Sequence, residues 1–144
     1  MRSMSFLRVS LTALLAIFLL STVTAFAKDG RDFVGFYNVS HPIPQGDHMR
    51  VTLNLQVRNF SSADVKQAVV MLRQNTGLDL VGQSAPIKVL HDHGSVKVSQ
   101  RFTVSRAEYE LWQQGTQPTV FLVYKDARGH QLDRYIQLAP SHGF

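Results

Sequence analysis

Between His48 and Phe60, the residues Val51, Leu53, Leu55 and Val57 alternate with Thr52, Asn54, Gln56 and Arg58. This strict two-residue period constrains the fold more than any other feature. Successive side chains of an extended chain point to opposite faces, so the pattern predicts an antiparallel strand with one apolar face and one wetted face. The apolar face has to be covered. Later segments carry the same period, which makes a second sheet laid over the first the economical cover.

Turn signals divide the rest of the chain. Asp32 to Ser40 reads as a first strand in which Gly35 predicts a weak point or bulge, and His41 to Asp47, with two prolines, a glycine and an aspartate, reads as a loop. Asn59 to Asp64 turns the chain back. Val65 to Gln74 is predicted as a central strand, since its β-branched cluster and the Asn75-Thr76-Gly77 stop favour strand over helix. Leu78 to Gln83 fits either a short edge strand or a crossing between sheets. Ala85 to Leu90 reads as an edge strand with Pro86 at its start.

After the turn His91-Asp92-His93-Gly94, Val96, Val98, Phe102 and Val104 alternate with Lys97, Ser99, Arg101 and Thr103. Gln100 falls on the inward phase and predicts a bulge or a local exposure. Ser105-Arg106-Ala107-Glu108 matches a capping box, so a short helix is expected from Arg106 to Gln114, stopped by Gly115, with Ala107, Leu111 and Trp112 packed on the sandwich. Pro118 to Lys125 is almost continuously apolar and belongs inside a sheet. Asp126 to Gly129 turns it into a last strand holding Leu132, Tyr135, Ile136 and Leu138. The expected fold is all-β: a seven-stranded antiparallel two-sheet sandwich with one short helix before the sixth strand.

The front of the chain reads differently. Arg2 and Arg8 precede the apolar run Leu11 to Leu20, and Ala25-Phe26-Ala27 offers small residues to a leader peptidase. That is the layout of a cleavable signal peptide over residues 1–27, with cleavage before Lys28. The apolar run is too short to span a bilayer comfortably; an uncleaved anchor is the alternative. Of 144 residues, the 27 of the leader leave 117, a single domain over residues 28–144 with its ordered core at about 32–139. The chain has no cysteine. An exported domain held by its core alone points to a bacterial periplasm or cell exterior. Its Lys and Arg residues are spaced singly along the strands, so the clustered footprint of a nucleic-acid binder is missing.

Seven strands in this order, and the run Val-Thr-Leu-Asn-Leu-Gln-Val-Arg-Asn-Phe-Ser-Ser followed by Val-Lys-Gln-Ala-Val-Val-Met-Leu, resemble the second and third strands of bacterial immunoglobulin-like or fibronectin type III-like modules. The likeness covers nearly the whole mature chain and is at superfamily level. The paired cysteines and third-strand tryptophan of antibody-type domains are missing; the single tryptophan, Trp112, falls in the helix.

Candidate chemistry is sparse. His91 and His93, two apart, would point to one side of a continuing strand and could chelate copper or zinc, with His41, His48 or His130 as a third ligand; a polar hairpin turn is the plainer reading. Ser84 lacks the second glycine of a nucleophile elbow, and His91 and Asp92 are neighbours that would face opposite ways on a strand. Glu108 has a capping role beside Glu110. Asn38-Val39-Ser40 and Asn59-Phe60-Ser61 fit the glycan acceptor pattern, which matches often by chance. Phe33, Phe36, Tyr37, Tyr109 and Tyr135 exceed what one face buries, and read either as core or as a partner surface. No catalytic residue, metal or cofactor is therefore assigned. The sequence predicts a monomeric, exported, non-enzymatic binding or assembly module of a bacterial envelope. It would meet a protein partner in the periplasm or outside the cell and touch the membrane only during export. A periplasmic copper or zinc binder using His91 and His93 is the alternative.

Overall fold

The computed structural model describes residues 32–77 and 79–141. The proposed leader and its cleavage site lie outside the described residues. Here the chain forms nine strands and one helix. They are β1 (Phe33–Gln45), β2 (His48–Asn59), β3 (Val65–Arg73), β4 (Leu80–Gln83), β5 (Ile87–Leu90), β6 (Ser95–Ser105), α1 (Arg106–Gln113), β7 (Thr119–Lys125), β8 (Gln131–Tyr135) and β9 (Gln137–Pro140). One sheet has the order β6-β2-β1-β9 and the other β4-β3-β7-β8, with β5 also paired to β3. No helix among the described residues is long and apolar enough to cross a membrane.

The two-sheet, mainly β architecture with one short helix is as expected, but the strand count is nine rather than seven. The two additional strands are β4, in the stretch that fitted either an edge strand or a crossing, and β9, cut from what was expected as one last strand. Opposite β3, β4 pairs with Met71 to Arg73 and β5 with Val65 to Ala68. The kink between them is held by Ser84, whose N–H donates to Val70 O at 2.8 Å while its Oγ accepts Val70 N–H at 3.0 Å. The last strand splits at Ile136. β8 pairs with β7, whereas β9 crosses to the first sheet and runs parallel to β1, so the sandwich is not wholly antiparallel. Ile136 is fully buried at the crossing and its N–H donates to Val120 O at 3.0 Å, so the change of sheet leaves no buried donor unmet.

The predicted loop from His41 to Asp47 is instead the second half of β1. The strand continues to Gln45 across a bulge that sets His41 and Pro42 against the single residue Val51, and only Gly46-Asp47 makes the turn. Prolines are tolerated there because β9 pairs only with Val34 to Tyr37, leaving the rest of β1 as an edge where a missing donor is free to sit. The expected weak point at Gly35 serves packing rather than bulging. A Cβ there would lie 3.0 Å from Leu138 Cδ2, 3.2 Å from Gln56 O and 3.2 Å from Ile136 Cγ2, so the glycine makes room for the crossing chain.

The alternating row of β2 is buried from Met49 to Val57, and it packs against Val70 and Leu72 of β3, Val120 and Leu122 of β7, and Leu138 of β9 in one core. Each such aliphatic side chain contributes about 1.5–3 kcal/mol by leaving water. The helix caps one end. Ser105 Oγ accepts Glu108 N–H at 3.1 Å, as the capping box predicts, and the first free helical amide, Arg106 N–H, donates to Asp47 O at 2.8 Å in the β1–β2 turn. The other half of the box is absent. Ser105 is already paired to His48 in the sheet, and the Glu108 side chain turns inward. Ala107, expected to pack, is exposed; Glu108 and Trp112 are the buried helix residues.

Candidate functional site

The two sheets close unevenly along β6. Near its end, Phe102 and Val104 are buried because β4 crosses over them, with Gly82 so close that a Cβ would lie 3.1 Å from the Phe102 ring. Near its start, Val96, Val98 and Gln100 face the same way but are only half-buried, because the covering chain has moved to β5, which pairs with the far part of β3. The opening between β5 and β6 is a groove of about 350 Å³. Pro86, Ile87 and Val89 line one wall and Val96, Val98 and Gln100 the other.

Of the two outcomes expected at Gln100, the structure has the local exposure and not the bulge. β2 and β6 pair in one unbroken register from His48 opposite Ser105 to Arg58 opposite Ser95. Since the cover stops short, an inward-phase amide costs little there; Gln100 Nε2 lies 3.4 Å from Arg101 O. Among the described residues, β2 is the only ladder neighbour of β6, so the strand's other edge is open over its length. Its outward phase is exposed and carries Lys97 and Arg101, and Lys88 adds a further positive charge beside the groove.

The histidine turn has a different geometry from that of a continuing strand. β5 ends at Leu90, and His93 takes a positive φ of 58°. His91 Nδ1 lies 3.0 Å from Asp64 Oδ2, whereas His93 Nδ1 lies 3.0 Å from Asp92 Oδ2 and its ring sits edge-on to Phe60. The two imidazoles are thus held by separate carboxylates. Asp64 also accepts Asp92 N–H at 2.9 Å. That backbone donor first, and the His91 ring second, hold its carboxyl below the ordinary aspartate range. His130 pairs with Asp126 and His41 with Ser40. Among the described residues, no group of three or more His, Cys, Asp or Glu is arranged to hold a metal ion. Asp64 was not singled out in the sequence; an aspartate just before a strand gives no sign of a partner 27 positions on.

The remaining candidates are structural. Asn59 is fully buried, and its Nδ2 donates to Ala63 O at 2.8 Å and Leu90 O at 3.1 Å, so the nitrogen a glycan would need is committed. Asn38 accepts from Asn54 Nδ2 at 2.7 Å. Ser84 is buried in the β4–β5 kink. Phe33 is buried and Tyr37 and Tyr109 pack against the core, while Phe36 and Tyr135 are exposed. Tyr135 meets Phe121 edge-on at 5.8 Å, and the Arg73 guanidinium lies over that ring at 5.3 Å.

No family model matches the chain, and no curated protein matches it. Among solved structures it is similar to a GH20 exo-β-N-acetylglucosaminidase from Vibrio harveyi. The likeness to an inactive mutant of that enzyme has 12% identity and a TM-score of 0.43, over 76% of this chain and 18% of that one. To the same enzyme in complex with N-acetylglucosamine it has 11% identity and a TM-score of 0.41, over 78% of this chain and 19% of that one. A protein from Archaeoglobus fulgidus is similar at 10% identity and a TM-score of 0.31, over 72% of this chain and 90% of that one. The chain therefore spans about a fifth of the length of the Vibrio enzyme structures. At these scores the likeness carries no argument for a family or an activity.

Proposed function

We propose that this protein is an exported, non-enzymatic binding or assembly module of a bacterial envelope, of immunoglobulin-like or fibronectin type III-like topology, that takes up an extended segment of a partner protein along β6. The strand order β6-β2-β1 facing β4-β3-β7-β8 supports the superfamily reading, because it sets the first, second and sixth strands against the third and seventh. The observation that carries the binding reading is the conjunction at β6 of an open ladder edge and an apolar groove beneath it. An added strand gains main-chain hydrogen bonds from the edge and seats alternate side chains in the groove over Val96 and Val98. Lys88, Lys97 and Arg101 fix the rest of the partner's chemistry. Its inward side chains are apolar and its outward ones acidic, placed to meet Lys97 and Arg101 across the ladder, with Lys88 beside the groove. The same cations oppose the pairing of β6 with a second copy of itself, which is consistent with a monomer.

The test is selection from a displayed library of random peptides against the purified protein. The expected winners alternate apolar and acidic residues, and they lose binding to Val98→Glu but not to Asp133→Ala on β8. Winners that bind both variants as well as the parent protein would overturn the assignment of β6.

A further inference from the structure

The outer face of the first sheet holds a second feature, which shares Arg101 with the β6 edge. Three rows of side chains cross β1, β2 and β6: Asn38, Asn54 and Ser99; Ser40, Thr52 and Arg101; Ile43, Arg50 and Thr103. Where the bulge lifts His41 and Ile43, these rows border a cleft of about 490 Å³. Among the described residues, no acidic side chain lines it. We propose that this cleft binds a small polyhydroxylated anion, a sugar carrying a carboxylate or a phosphate.

The floor is preorganised. Asn54 Nδ2 donates to Asn38 Oδ1 at 2.7 Å and to Ser40 Oγ at 3.1 Å, while Asn54 Oδ1 accepts Ser99 Oγ–H at 2.7 Å. With the amide fixed from three sides, the Ser99 oxygen keeps lone pairs for a ligand hydroxyl, and Thr52 presents its own hydroxyl one row along. The two guanidinium groups come from neighbouring strands, Arg50 from β2 and Arg101 from β6. Arg50 Nε–H is shielded from water without an acceptor among the described residues, an unmet donor that an anion held at this guanidinium would relieve with a small turn of the side chain. His41, in the wall, has a φ of 51°, in the left-handed region that residues other than glycine rarely adopt. The cleft volume exceeds what a bare phosphate fills; Ser40, Thr52, Asn54 and Ser99 offer hydroxyl and amide partners to a ring of hydroxyls, and the apolar part of the lining, Ile43 included, suits the ring's C–H face.

The test is titration of the purified protein with glucuronic acid and with glucose 6-phosphate, followed by ¹H–¹⁵N spectra that include the arginine Nε–H signals. Glucose and inorganic phosphate serve as the neutral and the bare-anion probes. At least one anionic sugar is expected to bind with a dissociation constant of about 1 mM or tighter and to shift the Arg50 Nε–H signal, and the one that binds identifies the anionic group. Arg50→Gln and Arg101→Gln should each weaken it about tenfold, while Lys125→Gln, the same loss of charge on the other sheet, leaves it unchanged. If either arginine variant fails to give a dispersed spectrum, Ser99→Ala replaces it, with an expected loss of about fivefold. Binding of neither sugar, equal binding of glucose or inorganic phosphate, or binding insensitive to these substitutions would overturn the proposal.

Discussion

Trp112 Nε1–H donates to Glu108 Oε1 at 3.0 Å, and the same carboxylate accepts the backbone N–H of Asn75 at 3.1 Å and its Nδ2–H at 2.7 Å. One buried side chain thus ties the helix to the end of β3, across 33 positions of sequence. Glu108→Ala strands all of these donors and should cost about 3 kcal/mol or more, at about 1–3 kcal/mol for each buried unsatisfied group. Glu108→Gln keeps one acceptor oxygen and should cost less. Urea unfolding midpoints of the two variants check the order.

The capping box was legible in the sequence, but not the use made of its glutamate. A serine three residues before a glutamate marks a helix start from local chemistry alone. That Glu108 then turns inward depends on Asn75, a residue of the turn after β3 that lies 33 positions away and shows nothing in the sequence beyond its turn role. The same limit explains the strand count. Periodicity located the β2 row and the buried face of β6, because each face follows from its own residues. The division at Ile136 follows from which sheet still has an edge to offer, and that is a property of the assembled sandwich. At the candidate site, the open edge of β6 follows from sheet order and the cleft at Arg50 from a bulge in β1, and neither had a local signature.

Asn59 closes the corner between β2 and the β5–β6 turn, donating to Ala63 O and Leu90 O and accepting Ser61 N–H at 2.9 Å. Asn59→Ala should destabilise the protein by about 2–4 kcal/mol, since it leaves buried backbone groups unmet. Asn38→Ala, on the solvent face, should cost less than about 1 kcal/mol. Thermal unfolding of the pair measures the contrast.

Gly35→Ala should cost about 1–3 kcal/mol, because the added methyl meets both a backbone oxygen and the two side chains at the sheet crossing. Gly46, which has φ 60° and open space around its Cβ direction, tests the other cause: Gly46→Ala would be penalised by backbone strain alone, about 1–2 kcal/mol. Denaturant titration separates the two, since only the first should be partly rescued by shortening Leu138 to Ala in the same chain.

Asp64 and Asp126 are each held below the ordinary aspartate value of 3.8, Asp64 first by the Asp92 backbone N–H and Asp126 first by that of His130. A lowered folded-state pKa means that the unfolded chain takes up protons first. Their contribution is therefore fully present above about pH 4 and is lost as the pH falls through the folded values. Melting temperatures of Asp64→Asn and Asp126→Asn should lie below the parent protein at neutral pH and converge with it towards about pH 2. A gap that stays constant with pH would contradict this.

Copper(II) and zinc(II) test the histidine turn. With His91 engaged by Asp64 and His93 by Asp92, a slight excess of either metal should leave the melting temperature unchanged. A rise that His91→Ala and His93→Ala abolish would instead establish the metal-binding reading.

Amide hydrogen exchange along β6 is the most direct test of the proposed strand addition. In the free protein, residues from Ser95 to Ser105 should alternate between slow amides bonded to β2 and fast amides on the open edge. With a selected apolar-acidic peptide bound, the fast set should become slow along the same stretch. Protection that appears on β8 or β9 while the β6 alternation persists would contradict strand addition at β6.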